Sequence, residues 1–138
     1  MATTFTDFVD ALEAVRVDGV ARYFEDGPPE DLNSEGLPAK WVQLPRGGDT
    51  TITFGSLGGW PTLTADVVIA VEPVAQDTNR VNFPATVAMM DNVASALSSA
   101  ETCGLFTKSV PTYEIRQTVV QVAGIDYWAV IATVTGRG

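Results

Sequence analysis

The sequence predicts an α+β fold, a mostly antiparallel sheet with two main helices, and three observations lead there. Apolar residues recur at helical spacing near the N-terminus and again beyond residue 82. Leu63, Ala65, Val67, Ile69 and Val71 alternate strictly, placing them on one face of a long strand. Two runs rich in β-branched and aromatic residues then close the chain around Gly124, as a hairpin would. At 138 residues the chain suits a single domain spanning 1–138.

Taken in order, the first element is a helix. Phe5, Phe8, Val9, Leu12 and Val15 form one apolar stripe, and Thr4 with Asp7 resembles a capping box. Asp18-Gly19 is a stop signal. Val20–Phe24 reads as a short strand ended by the turn Asp26-Gly27-Pro28-Pro29, and residues 25–38 as an acidic, proline-bearing loop. Lys40–Leu44 is a strand candidate closed by Pro45-Arg46-Gly47-Gly48-Asp49, and Thr51–Phe54 another. Gly55–Pro61 is too glycine-rich for a regular element.

After the long strand, Pro73 limits extension. Pro84 suits the first turn of the second helix, with Asn82 as a local cap. Phe83, Val87, Met90, Val93 or Ala94, and Leu97 form its expected inward stripe, fading near Gly104. In the hairpin, Gly124-Ile125 at the centre of the turn would pair Val122 with Tyr127 and Ile115 with Val134. One face would carry Ile115, Val119, Trp128, Val130 and Val134, the other Val120, Val122, Tyr127, Ala129 and Ile131. Both faces are apolar, so more of the chain or a neighbouring subunit must cover the second. That favours an oligomer.

Composition narrows the chemistry. Seventeen acids against eight bases give a net charge of −9, unsuited to a phosphate-tracking nucleic-acid binder or a polybasic membrane binder. Nine of the acids lie in residues 1–35, against Arg16 and Arg22 alone. The chain has no histidine, which removes the commonest general base and any Ser-His-Asp or Cys-His pair within it. Cys103, the only cysteine, has neither a disulfide partner nor a histidine to activate it. Met1–Asp7 has neither a basic start nor an apolar stretch, so no secretory signal is expected. No apolar run approaches the roughly 20 residues that span a bilayer.

Binding motifs fare no better. Gly55–Pro61 has neither the lysine nor the following helix of a phosphate loop. Asp31, Asn33, Glu35 and Gly36 start a calcium-loop pattern, but Val42 stands where its bidentate acid belongs. The pairs Glu25/Asp26 and Glu30/Asp31 lie in a proline-rich loop, where adjacent acids are usually solubilising or interface charge. Trp41 and Trp128 read as core or interface residues, and Trp60, on the glycine loop, as the better binding candidate. No catalytic constellation, cofactor or metal is expected.

The order of these segments resembles the tail terminator proteins of long-tailed bacteriophages, the lambda-type minor tail family. The carrying residues are the N-terminal helix with Phe5, Phe8, Val9 and Leu12, then Ala21-Arg22-Tyr23-Phe24-Glu25-Asp26-Gly27-Pro28-Pro29. Leu37-Pro38-Ala39-Lys40-Trp41-Val42-Gln43-Leu44 follows, then a long strand ending in Glu72-Pro73-Val74-Ala75, a helix and two closing strands. The likeness covers nearly the whole chain, although Gly55–Pro61 is not a feature of that pattern and Ile125 is a poor residue for a primed turn.

The resemblance implies a non-catalytic virion subunit, assembled in the host cytoplasm, that forms a ring, typically six-fold. The ring would cap the head-proximal end of the tail tube, stop tube growth and offer a surface to the head connector. Partners would be further copies of itself, the tube protein and the head completion protein. DNA would pass the lumen without specific binding, and no membrane is involved. Glu25, Asp26, Glu30, Asp31 and Glu35 are candidates for the lumen or a ring face, and Trp60, Tyr127 and Trp128 for interfaces. A head–tail connector is the nearest alternative, and a small-ligand binding module using Trp60 a more distant one.

Overall fold

The computed structural model describes residues 5–25, 27–30, 32, 37–48, 62–74, 79–98 and 112–137. Within them the chain is α+β, as expected: two helices and a mostly antiparallel sheet. Its elements are α1 (Phe5–Ala14), β1 (Arg22–Tyr23), β2 (Ala39–Val42), β3 (Arg46–Gly48), β4 (Thr62–Pro73), α2 (Asn79–Leu97), β5 (Thr112–Val122) and β6 (Ile125–Arg137). The sheet order is β1-β2-β4-β6-β5, with β3 also paired to β4 and β1 parallel to β2.

β4 organises the molecule because it is apolar on alternate residues and long enough to pair with β2, β3 and β6. Leu63, Ala65, Val67, Ile69 and Val71 all enter one core, the face predicted from their alternation. Both helices pack there, α1 through Phe8 and Leu12 and α2 through Met89, Val93 and Leu97. Complete burial of a side chain such as Phe8 contributes about 2–3 kcal/mol. A bulge between Ala70 and Glu72 lets Val71 stay in the core while β4 continues to Pro73, opposite Tyr127.

Several boundaries differ from the sequence-based expectation. β1 and β2 are shorter than Val20–Phe24 and Lys40–Leu44. Arg46–Gly48, expected to be part of a turn, is the strand β3, paired with Thr62–Thr64. Pairing there uses backbone groups, which glycine supplies as well as any residue. Thr51–Phe54, Gly55–Pro61 and Gly104 lie outside the described residues.

α2 begins at Asn79, so Pro84 is inside it rather than in its first turn, and Asn82 is a helical residue, not a cap. Its inward side is also rotated. Thr86, Met89, Val93 and Leu97 are buried, while Val87 is 40 % exposed and Met90 half-buried. The abundance of Ala and Met around this helix leaves two apolar stripes of similar quality, and packing against the sheet selects one.

The hairpin register is corrected by two residues. Ala123 and Gly124 form the turn, both with positive φ (52° and 80°), and Val122 pairs with Ile125. Ile115 therefore opposes Ala132, Val119 opposes Trp128 and Val120 opposes Tyr127. A shift of two keeps every side chain on its face. Val130 and Val134 enter the helix-covered core, with Ile115 against it, while Val122, Tyr127 and Ala129 form a second cluster on the far side.

This second cluster is covered by the chain itself. Phe24, Leu32 and Leu37 pack against Ala39, Trp41, Val68, Ala70, Tyr127 and Ala129. The Tyr127 hydroxyl donates to the Leu32 carbonyl at 3.3 Å. The expectation that this face favours a neighbouring subunit therefore loses much of its force.

Candidate functional site

The far face of the sheet divides sharply along its strands. Towards one end lie Val68, Ala70, Tyr127 and Ala129 under the covering segment. Towards the other, the same strands present Thr64, Asp66, Thr133 and Thr135, joined on β3 and β5 by Arg46 and Arg116. A polar ladder crosses four strands there. The Arg116 guanidinium donates to Thr133 Oγ1 at 3.1 Å, and the Thr133 hydroxyl donates to Asp66 Oδ1 at 2.7 Å. The other Asp66 oxygen lies 3.7 Å from the Arg46 guanidinium. Thr64 and Thr135 share a hydrogen bond of 3.2 Å beside it. With the Arg46 side chain 60 % exposed, the ion pair adds little stability.

Beside this surface, β5 forms one edge of the sheet, paired only with β6 among the described residues. It runs through eleven consecutive pairs without a bulge and contains no proline. Tyr113 and Val119 are both at least 40 % exposed. Natural edge strands are usually short, bulged, proline-bearing or lysine-rich. Among these defences β5 has only Glu114 and Arg116 as charges.

On the opposite side of the sheet, α1 and the segment after β2 enclose an open, mainly apolar groove of about 600 Å³. Phe5, Val9, Pro28 and Leu44 supply its apolar wall, and Asp10 and Glu13 its acids. Leu44 is 88 % exposed, the most exposed large apolar residue described. Two unlike surfaces thus lie at opposite edges of the sheet.

A third cluster is buried. The Lys40 ammonium, on the helix-covered face of β2, donates to the carbonyls of Leu12 and Glu13 at 2.8 and 3.4 Å. It therefore meets the negative end of α1, satisfying carbonyls the helix leaves open. Tyr23 stands beside it, its ring 5.6 Å from the Lys40 nitrogen and 4.2 Å from the Arg16 guanidinium carbon. The Tyr23 hydroxyl accepts from the Val17 amide and donates to the Val17 carbonyl. Burial, and then the nearby Arg16, lower the Lys40 pKa to about 8, with Glu13 opposing. At 2 % exposure the amine has no route to a substrate, and the cluster anchors α1 to the sheet.

Of the residues singled out from the sequence, Glu25 and Glu30 are exposed, and Asp26, Asp31, Glu35 and Trp60 lie outside the described residues. Tyr127 is corrected from an interface candidate to a core residue, since its ring and hydroxyl are taken up by the second cluster. Trp128 is half-buried between Glu72 and Val119 on the neighbouring strands. The polar ladder was not singled out, although its signal is visible: Thr62, Thr64 and Asp66 alternate with the apolar stripe of β4.

Among the described residues, no cluster of three or more Cys, Asp or Glu side chains could hold a metal ion. No helix there is long and apolar enough to cross a membrane. The chain matches no protein-family model, and no curated protein matches it.

Proposed function

We propose that this chain is a non-catalytic virion subunit, a tail terminator that closes into a ring on the head-proximal end of a phage tail tube. The ring stops tube growth and presents its other side to the head connector. The observation that carries the reading is the pair of unlike surfaces at opposite sheet edges, the long unbulged strand β5, paired only with β6 among the described residues, and the groove beside α1. Subunits of a closed ring meet head to tail, so each needs two different contact surfaces. The order of elements agrees with the resemblance: helix, short aromatic strand, strand, long strand ending at Pro73, helix and hairpin.

Capping is a specificity problem rather than a chemical one. One ring side must complement the last tube ring, and the other must offer the next tube subunit nothing. The test is negative-stain imaging of purified protein mixed with growing tail tubes. Rings on one tube end, with elongation halted, support the proposal. Rings that ignore tubes but seat on filled heads would replace it with the connector reading, and protein that binds neither would overturn both.

A further inference from the structure

The edge of β5 carries its own register information. A two-residue hairpin closes on a hydrogen-bonded pair, here Val122 and Ile125, and the pattern alternates from there. Thr112, Glu114, Arg116 and Thr118 therefore turn their backbone groups towards β6. Tyr113, Ile115 and Gln117 turn theirs outward, to the open edge. An added antiparallel strand must pair with those outward residues.

For a second copy of the same strand, every register centred on a residue of β5 sets outward residues opposite outward ones, and centred on Glu114 or Arg116 that charge would meet its own copy. Centred on Tyr113, Glu114 would meet Thr112; centred on Gln117, it would meet Val120 and Arg116 would meet Thr118. Centred on Ile115, Glu114 meets Arg116 of the second copy, and Arg116 meets Glu114. Both charge pairs then occupy non-hydrogen-bonded positions, where opposed Cα atoms are closest, about 4.5 Å apart. The sequence Tyr-Glu-Ile-Arg-Gln is thus charge-complementary to itself in a register the edge geometry permits. Glu114 and Arg116 are exposed on the same side of the strand, as such pairing requires.

We propose that in solution two copies of this chain join their sheets through β5, antiparallel and centred on Ile115. About six backbone hydrogen bonds and two cross-strand ion pairs form at the seam. The contact is two-fold and closes on itself, unlike the head-to-tail contacts of a ring. If both hold, they compete for the same edge, and the dimer is a form in which β5 stays covered until a ring assembles.

Sedimentation of the purified protein without tubes should give a concentration-dependent dimer. Hydrogen exchange at the Tyr113, Ile115 and Gln117 amides should slow as concentration rises, while the Glu114 and Arg116 amides, paired with β6, stay protected throughout. Glu114→Arg and Arg116→Glu should each weaken the dimer about tenfold or more by opposing like charges. The double exchange should recover most of that loss. Thermal unfolding checks that each variant folds; should Arg116→Glu fail, Glu114→Arg and the amide exchange still decide. A monomer at all concentrations, exchange independent of concentration, open-ended oligomers, or a folded double variant no tighter than the single ones would overturn the pairing. Tube capping is read separately, by imaging with tubes, so failure of this pairing and failure of the ring reading are distinguishable.

Discussion

At Ala123 the chain holds a φ of 52°, a region where an L residue with a Cβ is disfavoured by about 1–2 kcal/mol. The turn demands it, because positive φ at both central residues matches the twist of the flanking strands. Asparagine tolerates this conformation far better, and the position is exposed. Ala123→Asn should therefore stabilise the fold by about 0.5–1 kcal/mol, read as a higher denaturant midpoint at unchanged slope. Lys40 gives a second prediction. Its folded pKa, about 8, lies below the ordinary 10.5, so between these values the unfolded chain binds a proton the folded chain has released. Stability must rise with pH across that window, by an amount on the order of 2–3 kcal/mol. Subtracting the pH profile of Lys40→Met from that of the parent protein isolates this rise. A flat difference from pH 8 to 10.5 would contradict the burial argument.

Elements were legible where one periodicity dominated. In β4 the alternation from Leu63 to Val71 specifies the buried face, and in α1 the Phe8–Leu12 spacing does the same. The hairpin faces were readable for a related reason: parity survives a two-residue slip, whereas the pairing itself depends on which residues accept positive φ. Ala123 gives no such sign. Arg46-Gly47-Gly48 looks like a turn because a backbone-only pairing leaves no side-chain pattern. In α2 the ambiguity is one of phase. Val93 is buried and Val87 is 40 % exposed, so Val93→Ala should cost about 1–2 kcal/mol and Val87→Ala less than about 0.5. The opposite ranking would restore the stripe through Val87. Pro84 offers another check on this helix. Lacking an N–H, it cannot donate to the Arg80 carbonyl, and its exposed ring contributes little packing. Pro84→Ala should raise the unfolding midpoint, with a gain of about 1–2 kcal/mol after allowance for the freer unfolded chain.

At the scale of the molecule, the helices cover one face of the sheet and Phe24, Leu32 and Leu37 cover part of the other, leaving a polar ladder and an edge strand, β5, that among the described residues pairs only with β6. That asymmetry was only partly visible in the sequence, because covering an apolar face can be done by a distant segment as readily as by a neighbour. The acids of that covering region bear on the proposed ring. Glu25 and Glu30 are exposed, and with Asp26, Asp31 and Glu35 they account for five of the seventeen acids in a chain of net charge −9. If they face the lumen, they repel DNA phosphates over a Debye length of about 8–10 Å and keep the duplex from adhering in transit. If they only keep the subunit soluble, their charge is free to vary. Replacing all five with their amides should leave ring formation and tube capping intact but slow DNA ejection, most strongly at low ionic strength, where screening is least. Ejection at the parent rate, with normal capping, would assign these acids to solubility and leave the lumen surface to be sought elsewhere on the subunit.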